Sequence, residues 1–219
     1  MSDFNAELHA RPSIYFTGPA FVEHVALMPS ALPAFHGSRY LPDGGNSDDP
    51  RTQVEHHTEF VTITRVTQLS AEADTWPVST LSVDEISVLV DMDAPAIISR
   101  VGILVLGAAP AELGPTLSQF GFRDTAASSI GGGAAQVCSD FRVRDDQTSR
   151  ILLFNKDLNA CRLGRMVRRI YEIETYQSMA LLGLPEARRL AATDVSSATI
   201  ATRGLWRAGA DRRVGTSLV

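Results

Sequence analysis

Long apolar runs are missing from this sequence. The longest, Val101 to Ala111, is interrupted by Gly and Pro and falls well short of the ~20 residues a membrane-crossing helix needs. The expectation is a soluble chain with no transmembrane segment. Residues 1–11 also lack the basic start and apolar run of a secretory leader, which points to the cytoplasm. Cysteine is scarce. Cys138 and Cys161 form no spacing motif, so neither a disulfide framework nor a Cys-based zinc site is supported, and reduced or buried thiols are expected.

Positive charge is not in excess. Twenty Lys and Arg stand against 25 Asp and Glu, a net charge of −5, which argues against nucleic acid, whose phosphates need clustered cations. The one local basic run, Arg162, Arg165, Arg168 and Arg169, is answered downstream by Glu172 and Glu174. No nucleophile elbow, phosphate-binding loop or dinucleotide fingerprint occurs, and no cofactor is expected. Histidine is missing after residue 57. All five, His9, His24, His36, His56 and His57, lie in the first 57 residues.

What is present is an ordinary globular composition, 44% hydrophobic and 21% charged over 219 residues, long enough for one sizeable core. Asp3 is placed to cap a short helix over residues 3–10. Pro12 biases Arg11 to an extended backbone. Residues 20–28, AFVEHVALM, read as a strand with Glu23 and His24 embedded, and residues 37–51 as a Gly-, Pro- and Asp-rich loop. Residues 54–66, VEHHTEFVTITRV, alternate with period two and read as a single strand, with His57 and Glu59 on one face. A short helix or strand near 83–90, a central strand over 97–106 and a helix over 110–120 ended by Gly121 follow. Three strands are expected over 125–130, 134–144 and 150–155. Asn159 caps a long helix reaching about Leu184, where Pro185 follows. The implied fold is α+β, a mainly antiparallel sheet with helices on one face and a long C-terminal helix. One domain spans 1–190, and 191–219 form a tail without sustained period.

On a helical wheel with Leu163 at zero, Val167, Ile170, Leu181 and Leu184 form one apolar stripe. Glu174 falls inside it at about 20°, whereas Arg165, Arg168, Arg169 and Glu172 fall between about 140° and 240°, on the wet side. A carboxylate on a buried stripe must be paired, hydrogen-bonded or protonated. Its available partners are His9, Arg11, His57, Arg65 and Arg142, and the run Glu7-Leu8-His9-Ala10-Arg11-Pro12 is the favoured source. A buried ion pair holding the helix to the sheet is the plainer account of the same residues.

Other polar groupings are weaker. His57 and Glu59 could share a metal, but zinc wants three or four protein ligands, so no metal site is assigned. Gly131-Gly132-Gly133 reads as a tight strand connection. Asp140 and Arg142 read as an acid and a base on one strand face.

Five stretches in order, ELHARP (7–12), VEHVALM (22–28), HHTEFVTIT (56–64), GGGAAQVCSDFR (131–142) and LGRMVRRIYEIETYQSMALLGLP (163–185), resemble an uncharacterised bacterial family catalogued as domain of unknown function 3422, described as predicted membrane-anchored proteins. The resemblance covers roughly residues 4–190. It implies a soluble N-terminal domain followed by a longer helical region ending in membrane-spanning segments, and no known activity. His9, Arg11, Pro12, His57, Thr58, Glu59, Phe60, Asp140, Phe141, Arg142, Glu172, Glu174 and Tyr176 match its motifs. Cys138 departs from a large aromatic. The segment after about 190 departs from the long helical region, so anchoring does not transfer to this chain, although membrane association remains the alternative to a purely cytoplasmic protein.

Three readings follow. The first is a non-catalytic domain binding a protein partner or a small anionic ligand at His9, Arg11, His57, Glu59, Asp140, Arg142 and Glu174. The second is an architectural ion-pair cluster. The third is a hydrolase- or lyase-like enzyme with Glu59 or Glu174 as general acid/base, His57 or His9 as proton shuttle and Arg11 holding an anionic substrate. Oligomeric state is left open.

Overall fold

A computed structural model describes residues 13–29, 37–41, 51–57, 59–92 and 95–211, with side chains described as far as residue 190 apart from those of residues 37–41 and 186. The ELHARP run, the helix expected over 3–10 and residues 42–50 lie outside the described residues. The chain divides into two units, residues 1–176 and 177–219.

The first unit is built on one sheet of eight strands. They are β1 (Ala20–Met28), β2 (Gly37–Leu41), β3 (Thr52–His56), β4 (Val61–Gln68), β5 (Ala96–Leu106), β6 (Ala126–Ile130), β7 (Ala135–Val143) and β8 (Thr148–Asn155). Their order is β2-β3-β4-β1-β5-β8-β7-β6. Every neighbouring pair is antiparallel except β5 and β8, which run parallel from Arg100↔Thr148 to Leu106↔Phe154. The apolar run of β5 sits between β1 and β8, with Val101 to Leu106 all buried, as expected of a strand covered on both faces. The α+β class, the mainly antiparallel sheet and the long C-terminal helix are what the residue pattern implied.

Three helices complete the described residues: α1 (Val83–Val90), α2 (Leu113–Gln119) and α3 (Ala160–Asp211). α1 begins where Ser82 Oγ accepts the Glu85 amide at 3.2 Å, with Asp84 and Glu85 in its positive first turn. It packs Ile86 and Val90 against Val25, Leu27, Val54, Val61 and Ile63. α2 starts at Leu113 rather than at Pro110 and closes on Gly121, whose φ of 74° is a left-handed conformation open to glycine. Phe120 and Phe122 join Leu104, Leu106, Cys138, Leu152 and Phe154 on that same sheet face. α3 takes the other face. Asn159 Oδ1 accepts the Arg162 amide at 3.0 Å, the expected cap, and Leu163, Val167 and Tyr171 pack on Ala20, Val22, Val101, Ile103, Val105, Ile151 and Leu153.

Several expectations are corrected. Residues 54–66 are not one strand. The His57 amide donates to the Phe60 carbonyl at 2.9 Å, and His56 pairs with Val61, so a tight hairpin connection separates β3 from β4. β-branched density marked the strand content correctly, but the turn lacks the Gly or Pro that normally signals one. Residues 37–41, expected in a loop, pair as β2 with β3. α3 does not stop before Pro185; its backbone is helical to Asp211. A single proline removes one hydrogen bond, and the surrounding Ala, Leu, Glu and Arg are strong helix formers. The stretch 191–211, which has no sustained period, is therefore helical in its backbone.

A second strap lies on α3. Ser13, Ile14 and Phe16 are buried, and a Cβ added at Gly164 would stand 2.1 Å from the Ile14 carbonyl oxygen. Only glycine admits the backbone of residues 13–16 this close to the helix. We expect Gly164→Ala to destabilise the domain by about 1–3 kcal/mol through backbone displacement. Gly114→Ala in α2, where nothing lies within 4 Å, should instead be close to neutral, because the gain in helix propensity is opposed by Pro115, which disfavours the helical conformation for a residue with a Cβ before it. Denaturant titration of both variants checks the contrast.

Candidate functional site

The sheet face under α3 is apolar on one side and polar on the other. Strand alternation puts Val54, Val61 and Ile63 against α1 and leaves Gln53, Glu55, Thr62 and Thr64 for the opposite face. All four are buried, as is His24, which the register sets beside Thr64. These residues meet the second, third and fourth turns of α3.

The face of α3 that meets them differs from the expected one. Buried positions are Leu163, Gly164, Val167, Arg168, Tyr171 and Thr175, centred near 80° on the wheel rather than at zero. Leu181 and Leu184 are exposed, at 60% and 38%, and the inferred stripe left out Gly164, Arg168, Tyr171 and Thr175, which fall between about 80° and 140°. Glu174 is consequently half-buried at the edge of the packed face, where burial raises its pKa. Arg168, assigned to the wet side, is the buried charge, with its side chain only 10% exposed.

Arg168 is compensated from two directions. Its Nη2 donates to Glu55 Oε1 at 3.0 Å and to Oε2 at 3.3 Å. Its Nε donates to Glu172 Oε1, one helical turn on, at 2.8 Å. Burial alone would lower the guanidinium's pKa, but the Glu55 and Glu172 charges more than offset this and hold it protonated. Beside it the Tyr171 ring stacks on His24, centroids 4.0 Å apart and planes 13° off parallel. Burial pushes the Tyr171 phenol pKa up. His24 Nδ1 shares a hydrogen bond of 2.8 Å with Thr64 Oγ1. Burial first, then the His57 and Arg168 charges, lower the His24 pKa to about 3, so the ring is neutral at ordinary pH.

Next to this cluster a narrow cleft is lined by His24, Glu55, His57, Phe60, Thr62, Glu172, Thr175 and Tyr176. Its cavity volume is about 10 Å³, room for one water-sized group. His57 Nε2 contacts Thr62 Oγ1 at 3.3 Å, its ring stacks on Phe60 at 4.1 Å, and Tyr176 meets Phe60 edge-on at 6.1 Å. Two lining atoms, His24 Nε2 and Thr175 Oγ1, are buried with no hydrogen-bond partner.

Of the candidate ligand-binding and catalytic residues expected from the sequence, His57 alone is among the described cleft lining, together with the motif positions Phe60, Glu172 and Tyr176. Glu59 is exposed and Glu174 lies outside the lining. His9 and Arg11 lie outside the described residues, and with them the contact expected between Arg11 or His9 and Glu174. Asp140 and Arg142 sit on β7, on the far side of the sheet order; the Arg142 amide donates to Asp140 Oδ1 at 3.2 Å, but their side chains take other partners. Phe141, at φ 53°, breaks the alternation. Asp140 accepts from Arg144 Nη2 at 2.6 Å, while Arg142 bonds Asp124 at 3.1 Å. Among the described residues no group of three or more His, Cys, Asp or Glu is arranged to hold a metal, and no helix is long and apolar enough to cross a membrane. Glu55, Arg168 and Thr175 were missed. The available signal was the polar series Gln53, Glu55, His57 at period two, opposite an apolar Val54.

The sequence matches the family model described as protein of unknown function (DUF3422) over residues 44–199. The chain belongs to this family. Seven of the eight cleft residues fall inside the matched range, and His24 precedes it. No curated protein and no solved structure matches the chain.

Two outcomes test the cluster. Arg168→Met should destabilise by about 3–5 kcal/mol, since it strands a buried carboxylate, and the double variant Arg168→Met/Glu55→Gln should recover much of that loss. Because His24 is lowered from 6.5 to about 3, the unfolded chain binds its proton first. Stability from this group is complete above pH 6.5 and is lost progressively as pH falls toward 3. Denaturation midpoints between pH 7 and 4 should therefore fall less steeply in His24→Gln than in the wild type.

Proposed function

We propose that this domain is a binding module rather than a catalyst, with its recognition point at the cleft between the β3–β4 hairpin and residues 172–176 of α3. The observation that carries this reading is the pair of unpartnered buried atoms on the cleft wall, His24 Nε2 and Thr175 Oγ1. Each unmade hydrogen bond costs about 1–3 kcal/mol, a cost that an occupant relieves. The surrounding scaffold is pre-organised. Arg168 holds Glu55 and Glu172, and aromatic stacking orients His24 and His57. A small ligand or the end of a partner protein's side chain fits a cleft of this size.

The enzyme reading has less support. Glu59 and Glu174 do not line the cleft, so no general acid or base among them is set beside His57. An anionic ligand has less support, because the described lining contains two carboxylates and neither Lys nor Arg.

The test is a screen of small polar fragments, charged and neutral, against the labelled full chain. Bound fragments should move the His24 and Thr175 signals; a screen in which none does so counts against the reading. Thr175→Val keeps the volume and removes the unpaired hydroxyl. It should raise stability by about 1 kcal/mol while weakening fragment binding, read at His24, by ~10-fold. Loss of stability instead would mark Thr175 as structural and sink the proposal.

A further inference from the structure

We infer that the group seated in this cleft is a protonated primary amine. The inference rests on the reading of the cleft as a binding site and adds the chemistry of its occupant. Hydrogen-bond acceptors dominate the wall: the Glu55 and Glu172 carboxylates, the Thr62 and Thr175 hydroxyls, and the His24 and His57 rings. Neither Lys nor Arg is among the described lining residues. The nearby cation, Arg168, turns Nε and Nη2 toward the two carboxylates. Among the described lining residues an anion meets two carboxylates and no guanidinium or ammonium, whereas an ammonium brings three donors to the unpartnered His24 Nε2 and Thr175 Oγ1 and to the Glu172 carboxylate.

Size narrows the choice. Space for one water-sized group suits –NH3+ and is too small for a guanidinium or a quaternary ammonium. The aromatic faces of Phe60 and Tyr176, which meet edge-on at 6.1 Å, add a surface that attracts cations. The tautomer of His24 follows. To accept from an ammonium, Nε2 must be bare, which puts the ring proton on Nδ1, donated to Thr64 Oγ1 across the observed 2.8 Å.

The chemistry has two sources, a small free amine and the lysine side chain of a partner. Methylammonium, methanol, formate, methylguanidinium and a short lysine-containing peptide would each be titrated at constant ionic strength into the isotope-labelled full chain. Methylammonium should shift the His24 and Thr175 signals saturably, with Nε2 reporting as the unprotonated nitrogen. Methanol, formate and methylguanidinium should leave them unmoved. Binding should weaken ~10-fold in Thr175→Val and persist in Thr175→Ser, which keeps the hydroxyl. A peptide that binds much more tightly than methylammonium identifies a partner lysine; equal or weaker peptide binding identifies a free amine. If methanol or formate moves those signals and methylammonium does not, the amine is overturned while the cleft remains a binding site. If none of the probes moves them, the amine is likewise overturned, and the fragment screen alone decides whether the cleft binds anything.

Discussion

A guanidinium that is 10% exposed between a helix and a sheet remains there only if its charge is met at close range. Arg168 meets that condition twice, once across the interface at Glu55 and once along its own helix at Glu172. The two bonds have different consequences. The Glu172 bond is an i,i+4 pair that would form on an isolated helix and is worth only a few tenths of a kcal/mol there. The Glu55 bond joins residues 113 positions apart and is satisfied only when β3 and α3 are in one register. The geometry around it follows, including the stacking of Tyr171 on His24 and the opening beside Thr175.

A buried ion pair is a weak source of net stability, because desolvation consumes much of what the Coulomb attraction returns. The apolar half of the same face, where Leu163 and Val167 cover Ile103 and Leu153, supplies the driving force for docking α3. The polar half supplies position. Its carboxylates, hydroxyls and imidazoles are mostly paired with one another, and two buried atoms without a hydrogen bond, His24 Nε2 and Thr175 Oγ1, lie on the cleft wall.

Much of the fold is legible in the chain. β1, β5 and β8 follow from apolar and β-branched runs, α1 from Ser82 and its acidic first turn, and the start of α3 from Asn159. Local rules failed where tertiary context outweighs them. The β3–β4 turn has no glycine or proline to announce it. β2 is a strand because β3 offers it a partner, although its neighbours read as loop. The bulge at Phe141 breaks an alternation that nothing in the residue types disfavours. The wheel for α3 misplaced its centre because it counted aliphatic residues alone and left out Gly164, Arg168, Tyr171 and Thr175, all of them buried, and periodicity cannot say which turns of a long helix have a sheet beneath them.

By itself the sequence determined the class of fold, the positions of most elements, the lack of a long apolar span and the expectation that a buried charge on the last helix would need a partner across the structure. Those properties depend on composition and on spacing of a few residues, which local geometry converts directly into faces. Only the tertiary structure decided that the buried charge is Arg168 and not Glu174, that its partner is Glu55, and that His24, His57 and Thr175 border one cleft. Long-range pairing is set by strand register and by the rotation of a helix about its axis. A rotation of about 80° exchanges one set of side chains for another without changing any local preference.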